Sequence, residues 1–178
     1  MLFFLKKFAL ENKSNNTLKI RIMNKTILGL DRFKTESLVI NVNDLLANFQ
    51  VYYQNLRGLH WNIKGKSFFE LHVKFEEFYT DSQEKIDMIA ERILTLGGVP
   101  IHTFEEYSQL SKVVVGKNIS NDVDSVKLVV NSLAELLKIE RIILNESDDA
   151  NDEGTNSMMS DFIAEQEKTI WMLNAWLN

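Results

Sequence analysis

The stretch NDVDSVKLVVNSLAELLKIERIILNES, residues 121–147, decides the fold class. Val126, Val129, Val130, Leu133, Leu136 and Leu137 recur at steps of one, three or four residues, the pattern of a helix that buries one face. Neither glycine nor proline interrupts the run. Ser120, Asn121 and Asp122 ahead of it are the short oxygen-bearing side chains that open helices.

Working outward, glycine and proline divide the rest of the chain into three more helical windows. The first covers about 36–63 and carries the stripe Leu45, Phe49, Tyr52, Leu56 and Leu59. Gly65 separates it from a second window, about 67–96, which Gly97, Gly98 and Pro100 bring to an end. Thr103 followed by Glu106 has the form of a capping box for one short helix. After residues 121–147, Asp148 to Gly154 reads as an acidic link, and the fourth window runs to Leu177. Four long helices with wide apolar stripes predict an all-α four-helix bundle, with the short helix in the second-to-third crossover.

Composition agrees. At 178 residues, 45% hydrophobic and 25% charged, the chain has the make-up of one globular domain, not of a disordered or fibrous protein. Seven glycines and one proline argue against a turn-rich β fold, and the absence of cysteine excludes disulfides, thiolate metal sites and cysteine nucleophiles. No apolar run is long enough for a membrane span, and the opening apolar run before Lys6 and Lys7 is too short for a secretory signal. Charge is unevenly spread. Residues 1–25 hold Lys6, Lys7, Lys13, Lys19, Arg21 and Lys25 against Glu11 alone, a net of +5; the remaining 14 basic and 24 acidic residues give −10. Residues 1–35 therefore read as a basic N-terminal extension, with Met23 as a second candidate start, and residues 36–178 as the bundle.

The second window carries the chemistry. On a helix, His72, Glu76, Asp87 and Glu91 fall within an arc of about 100°, where leucine or valine is otherwise expected. His60 lies one short turn away at the end of the first window. Imidazoles joined to carboxylates suit Fe(II), Mn(II) or Zn(II) better than Ca(II). His72 and Asp87 are 15 residues apart, roughly 22 Å along a continuous helix, whereas metal–ligand bonds are about 2 Å long. The two halves cannot hold one ion within a chain. They can do so if two second helices pack antiparallel about a two-fold axis near Asp81 and Ser82, giving two equivalent sites per dimer. A solvated charged face is the competing reading; it is weakened because two of the chain's three histidines join the stripe. His102, in a connection after Pro100, reads as a surface residue.

The run from His60-Trp-Asn through Phe68-Phe-Glu-Leu-His72, continued to Asp87 and Glu91, resembles the Dps-type mini-ferritins. So does the closing stretch from Asp152 to Ala175; the likeness covers about residues 36–178. It implies a ferritin-like bundle that assembles as a homo-oligomer of twelve subunits, a hollow dodecamer in the cytoplasm, with no membrane partner. It also implies a ferroxidase that oxidises Fe(II) with hydrogen peroxide and stores Fe(III) as mineral. Carried over by position, His60, His72 and Glu76 come from one subunit and Asp87 and Glu91 from its neighbour, with iron bound between them. Relatives usually have Asp where this chain has Glu76, so that carboxylate sits about one methylene further out. Trp61 matches a tryptophan beside the iron centre, whose indole can intercept a stray radical. Asp148, Asp149, Asp152 and Glu153 correspond to the three-fold pore through which iron passes, although Ser157 stands where relatives commonly have Asp. The basic segment resembles lysine-bearing arms that bind DNA in some members. Two rival readings follow: a DNA-compacting shell in which iron is secondary, and a metal-free helical interaction module.

Overall fold

The computed structural model describes residues 24–178. Its elements are α1 (Arg32–Asn62), α2 (Phe68–Thr95), α3 (Phe104–Leu110), α4 (Asp122–Ala150) and α5 (Glu153–Leu177). Among the described residues the only β pairing is an isolated bridge between Lys25 and Asp31. α1 packs on α2 and α4, and α5 packs on α4, so the four long helices form the expected bundle. α3 is the short crossover helix, and its Thr103–Glu106 capping box is formed. No described helix is long and apolar enough to cross a membrane.

The core follows the apolar stripes. Leu45, Phe49, Tyr52, Leu56 and Leu59 are all buried on α1, and Val126, Val129, Leu133 and Leu136 on α4, with Val130 and Leu137 packed at its margin. Phe75, Ile89 and Ile93 from α2 and Met159 and Phe162 from α5 complete it.

Two boundaries differ from the sequence reading. α1 begins at Arg32 because the Asp31 side chain accepts from the backbone N–H groups of Phe33 (3.1 Å) and Lys34 (3.2 Å). The acidic link is mostly helix. α4 continues to Ala150, where Asn151 turns the chain with φ 56°, and Asp152 caps α5 by accepting from Thr155 N–H.

Buried asparagines on the inward side of α1 hold the long crossover. Asn48 Oδ1 accepts from the N–H groups of Lys112 (2.7 Å) and Val113 (3.1 Å). Asn55 donates to Val114 O and accepts from Gly116 N–H, each at 2.8 Å. Gly116 fits closely there: a Cβ would lie 2.5 Å from Leu128 Cδ2, so the leucine side chain would have to shift to admit one.

A polar layer crosses the bundle. Lys85, 5% exposed, pairs with Asp81 and with Glu165 (2.8 Å). Glu140 is fully buried and accepts from Gln166 Nε2 at 2.5 Å, while Glu140 Oε2 and Gln166 Oε1 have no partner. Burial pushes the Glu140 carboxyl from an ordinary 4.5 up to about 7, against the opposing pull of Gln166, Lys85 and Arg141. The folded state thus binds a proton that the unfolded chain releases. Its stabilising effect is full below the ordinary carboxyl range and is lost as pH rises through about 7. Urea unfolding between about pH 5 and pH 8 is expected to show about 3 kcal/mol of this loss, absent from Glu140→Gln. An equal pH slope in the two proteins would contradict a protonated Glu140.

Candidate metal centre

His60 sits in the last turn of α1 and His72 early in α2, and the link between them turns at Gly65 with φ +115°. That reversal stacks the two imidazoles, with ring centroids 3.8 Å apart and planes 19° from parallel. Their backbones lock the pair reciprocally. His60 Nδ1 lies 2.8 Å from His72 O, and His72 Nδ1 lies 2.8 Å from His60 O. A carbonyl oxygen only accepts, so each Nδ1 carries a proton and Nε2 is the atom left for a metal. Phe68 stacks on His72 at 5.1 Å, and Tyr79 meets His60 edge-on at 5.4 Å.

Glu76 stands exposed one turn beyond His72. Partial burial and the Glu76 carboxylate hold the Tyr79 phenol above its ordinary pKa. Asp87 and Glu91 are exposed further along α2, and among the described residues their carboxylates make no salt bridge. α2 is continuous from Phe68 to Thr95, so the roughly 22 Å between His72 and Asp87 stands. Among the described residues no three His, Cys, Asp or Glu side chains come together within one chain to hold a metal. The candidate ligands on α2 thus fall into two separate groups, His72 with Glu76 and Asp87 with Glu91, along one face of the helix.

That face is also apolar. Phe69 is 83% exposed and Leu94 59% exposed, and both fall within the arc of the four candidate ligands. Their positions are mirror images about the midpoint between Asp81 and Ser82, as are His72 with Glu91 and Glu76 with Asp87.

Trp61 is 58% exposed, with the Arg57 guanidinium 4.8 Å from its ring centroid. The four acidic residues at the α4–α5 junction do not behave alike. Asp148, Asp149 and Glu153 are exposed. Asp152 is buried, paired with Arg92, and accepts from Thr155 Oγ1 at 2.6 Å, so its carboxylate serves the helix junction. His102 is exposed, with Nδ1 3.2 Å from Pro100 O. Lys25 is exposed; Lys6, Lys7, Lys13, Lys19 and Arg21 lie outside the described residues. Sequence reasoning missed Tyr53, Arg57 and Tyr79 beside the histidines. Spacing could have found the tyrosines, since Tyr53 is seven residues before His60 and Tyr79 seven after His72, two helical turns in each case.

Comparison with known proteins agrees with this architecture. A family model described as a ferritin-like domain matches residues 41–178. The crystal structure of a Dps protein from Vibrio cholerae, described as a member of a broad superfamily of ferritin-like diiron-carboxylate proteins, superposes with a TM-score of 0.85. The two are 48% identical, over 87% of this chain and 98% of that one. A Dps crystal structure from Bacillus brevis superposes with a TM-score of 0.79 at 34% identity, over 82% of this chain and 97% of that one. The "DNA protection during starvation protein" of Porphyromonas gingivalis is 41% identical over 84% of this chain and 94% of its own length. Helix order, crossover and relatives together make this chain a member of the ferritin-like proteins, of the Dps mini-ferritin type.

Proposed function

We propose that this protein is a ferroxidase and iron store that consumes Fe(II) and hydrogen peroxide together at a site shared by two subunits, and that it works in the cytoplasm as a twelve-subunit shell. The observation that carries the reading is the mirror symmetry of one exposed face. His72, Glu76, Asp87, Glu91, Phe69 and Leu94 all map onto one another when α2 is paired antiparallel with its copy about the Asp81–Ser82 midpoint. The same pairing covers two exposed apolar side chains, whose burial favours the contact.

In the shared site His60 and His72 offer Nε2, and Glu76 adds a carboxylate on the same helix. Asp87 and Glu91 of the partner subunit add anionic oxygens, which favour Fe(III) over Fe(II) and so assist oxidation. Iron here is substrate. Two Fe(II) ions supply the two electrons that, with two protons from solvent, reduce one hydrogen peroxide to two waters, so neither reactant is left to make hydroxyl radical. Exposed Asp148, Asp149 and Glu153 at the α4–α5 junction form the acidic port for incoming cations, Asp152 being engaged with Arg92. A second role, retention of DNA, draws on the +5 charge of residues 1–25 and on the printed name of the Porphyromonas relative.

Anaerobic Fe(II) loading of the iron-free protein, followed by peroxide or oxygen in parallel, tests the reading. Saturable Fe(II) binding and faster oxidation by peroxide, with two Fe(II) consumed per peroxide, are expected. Absence of saturable binding would contradict it and favour a metal-free interaction module. The assembly is expected near 250 kDa, about twelve chains of 20.6 kDa each. Phe69→Glu places a charge in the apolar contact without touching the core. By light scattering it is expected to leave small species of unchanged helicity that no longer oxidise Fe(II) rapidly. A full-size, active Phe69→Glu shell would contradict the proposed pairing.

A further inference from the structure

The polar layer inside the bundle is a second group of ligand-type oxygens, and it includes none of the candidate ligands on the exposed face of α2. Asp81 comes from α2, Glu140 from α4, and Glu165 and Gln166 from α5. Tyr52 of α1 adjoins them; burial, and then the charges of Asp81 and Glu165, raise its phenol pKa. Bundles build metal sites in this way, from side chains that facing helices send inward. Asp81 and Glu165 form the rim of the layer, and Glu140 and Gln166 its interior. Glu140 is 0% exposed and Gln166 4% exposed, yet Glu140 Oε2 and Gln166 Oε1 have no partner among the described residues. Two buried acceptors without a donor call for a proton, a water or a cation beside them.

One cation is already in the layer. Lys85 enters it from α2, and its ammonium bonds Asp81 and Glu165 and stands 5.4 Å from the centroid of the Phe162 ring. Its charge also acts on Glu140, opposing the effect of burial on that carboxyl. Asp81 is half-buried and Glu165 exposed, so the lysine is the member of this ion pair that is sunk into the bundle. We propose that the Lys85 ammonium occupies a bundle-centre site for a hard divalent cation and keeps that site closed. Its single charge engages Asp81 and Glu165 and leaves Glu140 Oε2 and Gln166 Oε1 without a donor. A divalent ion in its place would draw on Asp81, Glu140, Glu165 and Gln166, an all-oxygen set that suits Mn(II) or Mg(II). Lys85 is thereby the residue that restricts metal binding to the shared face. The inference goes beyond the ferroxidase reading and does not depend on it.

The test is a Mn(II) titration of full-length chains, followed by the electron paramagnetic resonance signal of free Mn(II). Every sample carries His60→Ala and His72→Ala, so the imidazoles of the shared face are absent throughout. With Lys85 in place, no saturable Mn(II) binding is expected. Adding Lys85→Ala is expected to create saturable binding of one Mn(II) per chain. Adding Glu140→Gln to that chain is expected to weaken the binding about tenfold or more, because affinity follows the charge of the ligand set. Circular dichroism monitors folding. A folded Lys85→Ala chain that binds no Mn(II) would overturn the proposal, and so would an unfolded one that Mn(II) does not refold. Equal binding with and without Lys85, or binding that Glu140→Gln leaves unchanged, would also overturn it. Because no sample contains the histidine pair, failure here leaves the ferroxidase reading untouched, and that reading stands or falls on the iron oxidation of the wild-type protein.

Discussion

The fixed rise of an α-helix governs the candidate site. At about 1.5 Å per residue, an unbroken α2 holds the His72/Glu76 end and the Asp87/Glu91 end roughly 22 Å apart, and no side-chain rearrangement closes that gap. A complete ligand set then requires a second chain. The helix that separates the half-sets also aligns them, since Phe69, His72, Glu76, Asp87, Glu91 and Leu94 share one face. Antiparallel pairing of that face with its copy covers apolar surface and joins histidines to carboxylates in one step. In the proposed function, assembly and metal binding are thereby two consequences of one helix.

Rigidity on the histidine side comes from α1. The turn at Gly65 brings His60 back against His72, and the reciprocal contacts of each Nδ1 with the other's carbonyl fix both rings before any metal arrives. Little ordering is left for binding to impose, which favours affinity. Beneath the site, the bundle holds charge in a controlled form. Lys85 is neutralised by Asp81 and Glu165, and burial keeps Glu140 protonated below about pH 7. Glu76, Asp87 and Glu91 are instead exposed along α2.

Much of this was legible in the sequence because it rests on periodicity. The stripes on α1 and α4, the capping box of α3 and the face shared by four polar residues of α2 follow from residue spacing alone. The missed features depend on contacts between segments distant in sequence. Nothing local marks Asn48 and Asn55 as clamps on residues 112–116, since an asparagine in an apolar stripe looks like an interruption until the crossover is laid against it. Asp152 read as one of four equivalent acidic residues because its partner, Arg92, is 60 positions away. Asp31 was assigned to the extension because a cap is recognised only once the helix start is known.

Complementation between two defective chains tests the shared site most directly. One variant carries Ala at positions 60 and 72, the other Ala at positions 87 and 91, and each alone lacks half of every ligand set. After dissociation, equal mixing and reassembly, random pairing makes half the dimers mixed. Each mixed dimer has one intact site and one lacking both halves. Mass spectrometry confirms that mixed dimers have formed. A site shared across the two-fold is then expected to restore roughly a quarter of the wild-type rate of rapid iron oxidation. No recovery at any mixing ratio, with mixed dimers present, would contradict it.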